Sequence, residues 1–194
     1  WVRRSDVNIN DRRFSAWPEV CVFPAVPMTV TLGIDVGATT ISGGIVTDAG
    51  EVVAVVREAT AARGPGNAVG TVLAVIDELG AEADRRGLAL NGVGIGLPGL
   101  VDAEKGLMTS TMNLVPEFAH VPLAGDVRAR TGLPTFVDND VNAQALGEWT
   151  FGLGRGASSL VLLALGTAVG GSLVIGGTLA MLFLRDWELP VPPS

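Results

Sequence analysis

From Thr29 onward the spacing of apolar and polar positions sets out the elements one by one. Val30 to Val36 predicts a buried strand, Ile41 to Val46 a second, and Glu51 to Arg57 a valine-rich third. Thr47-Asp48-Ala49-Gly50 predicts a turn, and connections this short predict that the three strands run antiparallel. Gly64-Pro65-Gly66 then breaks the chain, and Asn67 is placed to cap a helix reaching about Arg86. Val69, Val72, Leu73, Ile76, Leu79 and Ala83 recur at intervals of three and four, which predicts one buried helix face, and Gly87 stops it. Asn91 to Leu97 predicts a strand ending abruptly at Pro98-Gly99. Pro122 to Thr131 predicts a short helix closed by Gly132, Leu133 to Val137 a strand, and Ala143 to Trp149 a helix ended by the glycines from Gly152 to Gly156. Ser159 to Leu165 and Val169 to Ile175 predict two strands joined across Gly166-Thr167-Ala168. Three antiparallel strands followed by alternating helices and strands predict an α/β protein with a mixed sheet and flanking helices.

One stretch admits a rival. Ser158 to Leu184 carries no charge and is long enough to span a bilayer. Its interior glycines at 166, 170, 171, 176 and 177 would each cost a helix about 1 kcal/mol, so two buried strands and a turn are the expected form, with no membrane partner.

Composition narrows the function. A chain of 194 residues that is 48% hydrophobic with 26 glycines predicts a dense core with many tight turns. A net charge of -7, with paired arginines only at Arg3-Arg4, Arg12-Arg13 and Arg85-Arg86 and no basic stripe, argues against a nucleic-acid surface. The single cysteine, Cys21, excludes an internal disulfide and a cysteine-only zinc site, and favours a reducing, cytoplasmic compartment. His120 is the only histidine, so a clustered histidine metal site is excluded, and it is expected in an exposed loop.

Two polar clusters could carry chemistry. In Asp35-Val36-Gly37-Ala38-Thr39-Thr40, Asp35 could orient a hydrated Mg2+, Gly37 could let backbone approach phosphate oxygens, and the threonines offer donors. The competing role is an ordinary hairpin turn. A second loop of the same build follows at Gly166-Thr167-Ala168-Val169-Gly170-Gly171. In Asp138-Asn139-Asp140-Val141-Asn142, where a strand gives way to a helix, an aspartate could act as general base while the asparagines bind hydroxyls. A helix cap would need only one of these residues. The subset Gly94, Gly96, Gly99 spells a dinucleotide fingerprint, but Pro98 and the non-helical stretch after it lack the helix that fingerprint needs. No P-loop and no calcium loop is present.

Taken together, Gly33-Ile34-Asp35-Val36-Gly37-Ala38-Thr39-Thr40-Ile41, Gly94-Ile95-Gly96-Leu97-Pro98-Gly99, Asn113-Leu114, Val137-Asp138-Asn139-Asp140-Val141-Asn142-Ala143 and Gly166-Thr167-Ala168-Val169-Gly170-Gly171 resemble the ordered landmarks of the ROK family of sugar kinases and repressors. The resemblance runs from about Thr29 to Leu179. It implies the actin-like ATPase, ribonuclease-H-like fold, with a hexose and ATP bound between two lobes as in glucokinases. It implies that Asp140 is the general base, that Asn113 and Asn139 bind sugar hydroxyls, and that Pro98 and Gly99 line the pocket. Asp35, Gly37, Ala38, Thr39, Thr40, Gly166 and Thr167 would hold the phosphates, with Mg2+ bound to Asp35 through water.

The family usually has glycine where this chain has Ala168, and often glycine and lysine at Ala38 and Thr40. Beyond Leu179 it continues with a sugar- and zinc-binding segment that has no counterpart here, so no zinc is expected. The expected division is a leader or non-native extension over 1–27, an N-terminal sugar-kinase lobe over 28–150, the start of a second lobe over 151–179, and an atypical tail over 180–194. Two alternatives to an active kinase stay open, an inactive sugar-binding fragment and a sugar-responsive regulator. Homo-oligomers are possible in each.

Overall fold

In the computed structural model, residues 29–111, 115–165 and 169–182 are described. Three strands open the fold: β1 (Thr29–Val36), β2 (Thr40–Thr47) and β3 (Val52–Ala59). They form an antiparallel meander as expected. Every second side chain of β1, Val30, Leu32, Ile34 and Val36, is buried, and Ile41 and Ile45 of β2 share that side.

Helix α1 (Ala68–Arg85) covers this apolar face. Asn67 caps it, its Oδ1 accepting the Gly70 N–H at 3.2 Å. Val72, Ile76, Leu79 and Ala83 are buried as predicted, but Thr71 and Val75 join them while Val69 and Leu73 lie at the flank. Two contacts rotate the face this way. The Thr71 hydroxyl donates to the Thr60 carbonyl at 3.0 Å, and a Cβ on Gly43 would lie 2.7 Å from both Val75 and Leu79. Without that Cβ the helix comes down onto β2 at this point. The Arg130–Asp77 ion pair, at 2.5 Å on the surface between α1 and α2 (Leu123–Thr131), contributes at most about 1 kcal/mol.

Strand β4 (Ala89–Leu97) returns parallel to β1, and β7 (Thr135–Asn139) lies parallel to β4, giving the five-stranded order β3-β2-β1-β4-β7. Between them come a hairpin, β5 (Leu100–Asp102) with β6 (Leu107–Ser110), and a 3-10 turn at Pro116–Phe118 that buries Phe118. The hairpin was not legible in a stretch read only as non-helical. β7 begins two positions later than Leu133 because Pro134 has no N–H to add to the ladder; its carbonyl accepts from Val93 instead.

Helix α3 (Asp140–Thr150) starts directly after β7, three positions ahead of the expected Ala143, because Asn139 caps it. β8 (Ser159–Leu165), β9 (Val169–Ile175) and β10 (Thr178–Leu182) then form a separate antiparallel sheet. α3 lies between the two sheets, with Gly96 of β4 on one side and Gly170 of β9 on the other. The uncharged stretch 158–184 is, over its described residues, largely strand, and among the described residues no helix is long and apolar enough to cross a membrane. The tail expected from residue 180 instead continues β10 to Leu182.

Candidate active site

The site follows from strand direction. β1, β4 and β7 are mutually parallel, so their carboxyl ends finish at one edge of the sheet, where open α/β sheets receive ligands. In register, Asp35 pairs with Gly96 and Gly96 with Asp138, so one row across three strands carries two acids flanking a glycine. The next row brings Leu97 beside Asn139. Asp35 projects from the side of β1 opposite its buried alternates.

Gly96 decides how near α3 can come. A Cβ there would sit 3.2 Å from the Asp140 Cα. The first residue of α3 therefore rests on the sheet, within electrostatic reach of Asp35. Burial raises the Asp140 carboxyl above the ordinary carboxylate range; the Val141 N–H, donating to its Oδ1 at 2.8 Å, pulls it back, and the charge of Asp35 pushes it up again. Asp35 is raised by partial burial as well. A carboxylate whose pKa is raised is a stronger proton acceptor than one at its ordinary value.

Asn139 turns out differently from expectation. Its Oδ1 accepts the Val141 and Asn142 N–H groups at 3.0 and 3.2 Å, and its Nδ2 donates to the carbonyls of Gly99 at 3.0 Å and Leu97 at 3.5 Å. The side chain is buried, and its hydrogen-bonding capacity is spent on the cap and on the Pro98–Gly99 loop. That loop is itself fixed: Gly99 has φ 106°, and a side chain there would run into the Ser110 carbonyl of β6. Pro98 and Gly99 are both buried beside the strand ends.

The β1–β2 tip resolves as a closed turn. The Gly37 N–H donates to the Thr40 carbonyl at 2.9 Å and the Gly37 carbonyl accepts from the Thr60 hydroxyl at 2.8 Å. A Cβ on Gly37 would lie 2.9 Å from that Thr40 oxygen, so the turn alone accounts for the glycine. The backbone of Gly37, expected to face phosphate, is occupied. Ala38, Thr39 and Thr40 are exposed beyond it. Asn113, Gly166 and Thr167 lie outside the described residues.

Two further residues join the cluster: Asn142, read from sequence as binding a hydroxyl, and Ser172, not singled out there. Asn142 of α3 is buried and its Nδ2 donates to Asp138 Oδ1 at 3.1 Å; the buried Ser172 hydroxyl of β9 donates to Asn142 Oδ1 at 3.0 Å. Only the packing of β9 on α3, which no sequence period encodes, brings Ser172 to this cluster.

A divalent ion would have few protein ligands here. Among the described residues no three His, Cys, Asp or Glu side chains converge. A single carboxylate at a strand end, with water and substrate phosphate completing the shell, is the arrangement Mg2+ tolerates best.

The model of the family described as ROK matches residues 31–181. This chain belongs to the ROK family. Among its relatives, the glucokinase of Thermotoga maritima is 37% identical over 157 residues, which cover 79% of this chain and 47% of that enzyme. The xylose repressor of Caldicellulosiruptor bescii is 38% identical over 88 residues, 45% of this chain and 22% of the repressor. A solved ROK family glucokinase from Streptomyces griseus, in complex with glucose and AMPPNP, matches with a TM-score of 0.67 and 33% identity, covering 78% of this chain and 46% of that one. The mixed α/β architecture is accordingly the actin-like ATPase fold of ROK kinases. This ROK chain spans about half the length of the curated relatives it matches.

Proposed function

We propose that this chain is the N-terminal lobe, with the start of the second, of a ROK sugar kinase that transfers phosphate from ATP to a hexose, glucose being the first candidate. The observation that carries this is Asp140: a half-buried carboxylate with a raised pKa, resting over Gly96 beside Asp35 at the carboxyl edge of parallel strands. Asp140 takes the proton from the sugar hydroxyl as its oxygen attacks the γ-phosphorus and the bond to the bridging oxygen of ADP breaks. Asp35 faces the phosphates and their Mg2+ through water, and Thr39 and Thr40 offer hydroxyls toward them. Asn113, Gly166 and Thr167 take the sugar and phosphate roles that the family resemblance implies. Asn139 acts by holding the Pro98–Gly99 loop against the helix start. Phosphoryl transfer asks for positioning and charge neutralisation more than covalent chemistry, which suits a site built from strand ends and one cap.

A sugar-binding chain without turnover is the second reading. Val161, Leu163, Leu165 and Ile175 expose one apolar face of the β8–β10 sheet, which favours self-association over a free monomer. The test is phosphorylation of a hexose panel by the purified chain with Mg-ATP, beside Asp140→Asn. Turnover abolished in the variant supports the kinase; sugar binding without turnover in a folded sample supports the second reading. Sedimentation velocity over a concentration series checks the association.

A further inference from the structure

We propose that Asn142, fixed by Ser172, is a positioning residue that holds the Asp138-Asn139-Asp140 turn in the shape presenting Asp140. Asp138 is the starting point. Its carboxylate only accepts hydrogen bonds, so the Asn142 group 3.1 Å from Oδ1 must be the Nδ2 amide. The carbonyl end of Asn142 is thereby turned toward Ser172, and the Ser172 hydroxyl, 3.0 Å away, must donate to it. One acceptor-only group at the strand end therefore sets the direction of a hydrogen-bond chain running from β9 to β7.

That chain is buried at both inner members, Ser172 being 0% and Asn142 3% exposed. A buried polar group deprived of its partner keeps the full cost of its desolvation, so the relay resists rearrangement. Asp138 Oδ1 also accepts the Asn139 N–H at 2.6 Å. The same oxygen thus orients the residue whose side chain caps α3 through Val141 and Asn142. Releasing Asn142 from Ser172 frees its amide to turn, withdraws one donor from Asp138 and loosens the turn on which Asp140 stands. β9 follows directly on the second glycine loop, so the relay is also a rigid link between that loop's strand and the base. The catalytic part of this inference rests on the kinase reading above; the structural part does not.

The full chain is compared with Ser172→Ala, which removes only the hydroxyl, and Ser172→Cys, which keeps a weaker donor of similar shape. Backbone hydrogen exchange is read over 138–145, with 30–46 and 68–83 as reference. The expected result is exchange about tenfold faster at 139–142 in Ser172→Ala, an intermediate rate in Ser172→Cys, and unchanged reference segments. Steady-state kinetics should show kcat lowered about tenfold by Ser172→Ala with both KM values within about twofold, and partial recovery in Ser172→Cys. Unchanged exchange at 139–142, loosening spread evenly over the reference segments, or an unchanged kcat overturns the proposal. If Ser172→Ala does not fold, the same comparison is made on Ser172→Cys. A folded wild type without turnover counts against the kinase reading, while exchange still decides the relay.

Discussion

The β1–β2 tip and the β7–α3 junction sit at the same edge of one sheet and are built in opposite ways. At the tip the backbone of Gly37 is saturated by Thr40 and Thr60 while the side chains of Thr39 and Thr40 stand exposed. At the junction the side chains are tied instead: Asn139, Asp138 and Asn142 hold one another or the backbone, and the Asp140 carboxylate accepts the Val141 N–H. A polar cluster in a motif is therefore no guide to which of its atoms can meet a ligand. At the tip these are threonine side chains, and at the junction one carboxylate.

Removing that carboxylate should have the largest effect. Asp140→Asn is expected to lower hexose phosphorylation at least about a hundredfold, read in a coupled assay for ADP. The same substitution tests the electrostatics in the other direction. Because the folded-state pKa of Asp140 is raised by burial and Asp35, its stabilising contribution is present at low pH and is lost as pH rises through the folded pKa. At neutral pH the charge opposes folding, so Asp140→Asn should melt no lower than the wild type. Activity in the wild type should run the opposite way, rising with pH as Asp140 ionises.

Next comes the residue holding the junction together. Asn139→Ala loses the cap and the ties to Gly99 and Leu97, and should cost about 2–3 kcal/mol by chemical denaturation. Were Asn139 mainly a substrate ligand, stability would hold and the sugar KM would rise. Gly37→Ala comes third: its methyl meets the Thr40 carbonyl and should cost about 1–2 kcal/mol, measured as a lowered melting temperature. Smallest is Thr39→Ala, within about 0.5 kcal/mol in stability, with a severalfold higher KM for Mg-ATP if its hydroxyl faces phosphate. A stability loss there would erase the contrast between tip and junction.

Much of this was legible in the sequence because it was local. The alternation of β1, the cap at Asn67 and the stop at Gly132 are each written within a few residues, and the structure places them as read. Three of the family landmarks contribute Asp35, Gly96 and Asp138 to one row across β1, β4 and β7. What the chain did not disclose was pairing across distance. Gly96 was legible as one glycine of a failed dinucleotide fingerprint and of a family landmark, and its closeness to Asp140 follows from strand register. Ser172, one position within the strand expected over Val169 to Ile175, gains its role only where β9 lies on α3. The β5–β6 hairpin escaped because its short strands lack a run long enough to show a period.

The parallel order β1-β4-β7 has a consequence for how the lobe comes into being. The meander β1-β2-β3 closes through adjacent segments, whereas Asp35 meets Gly96, and Gly96 meets Asp138, only after long stretches of chain have been drawn together. Loop closure of that kind is slow and costs entropy before any contact repays it. During folding the hairpins should be protected first and the β1–β4–β7 edge last, an order that pulse-labelled hydrogen exchange can follow. On that time course the carboxylates become neighbours only at the final step, so any intermediate that accumulates is a lobe with a core and no site.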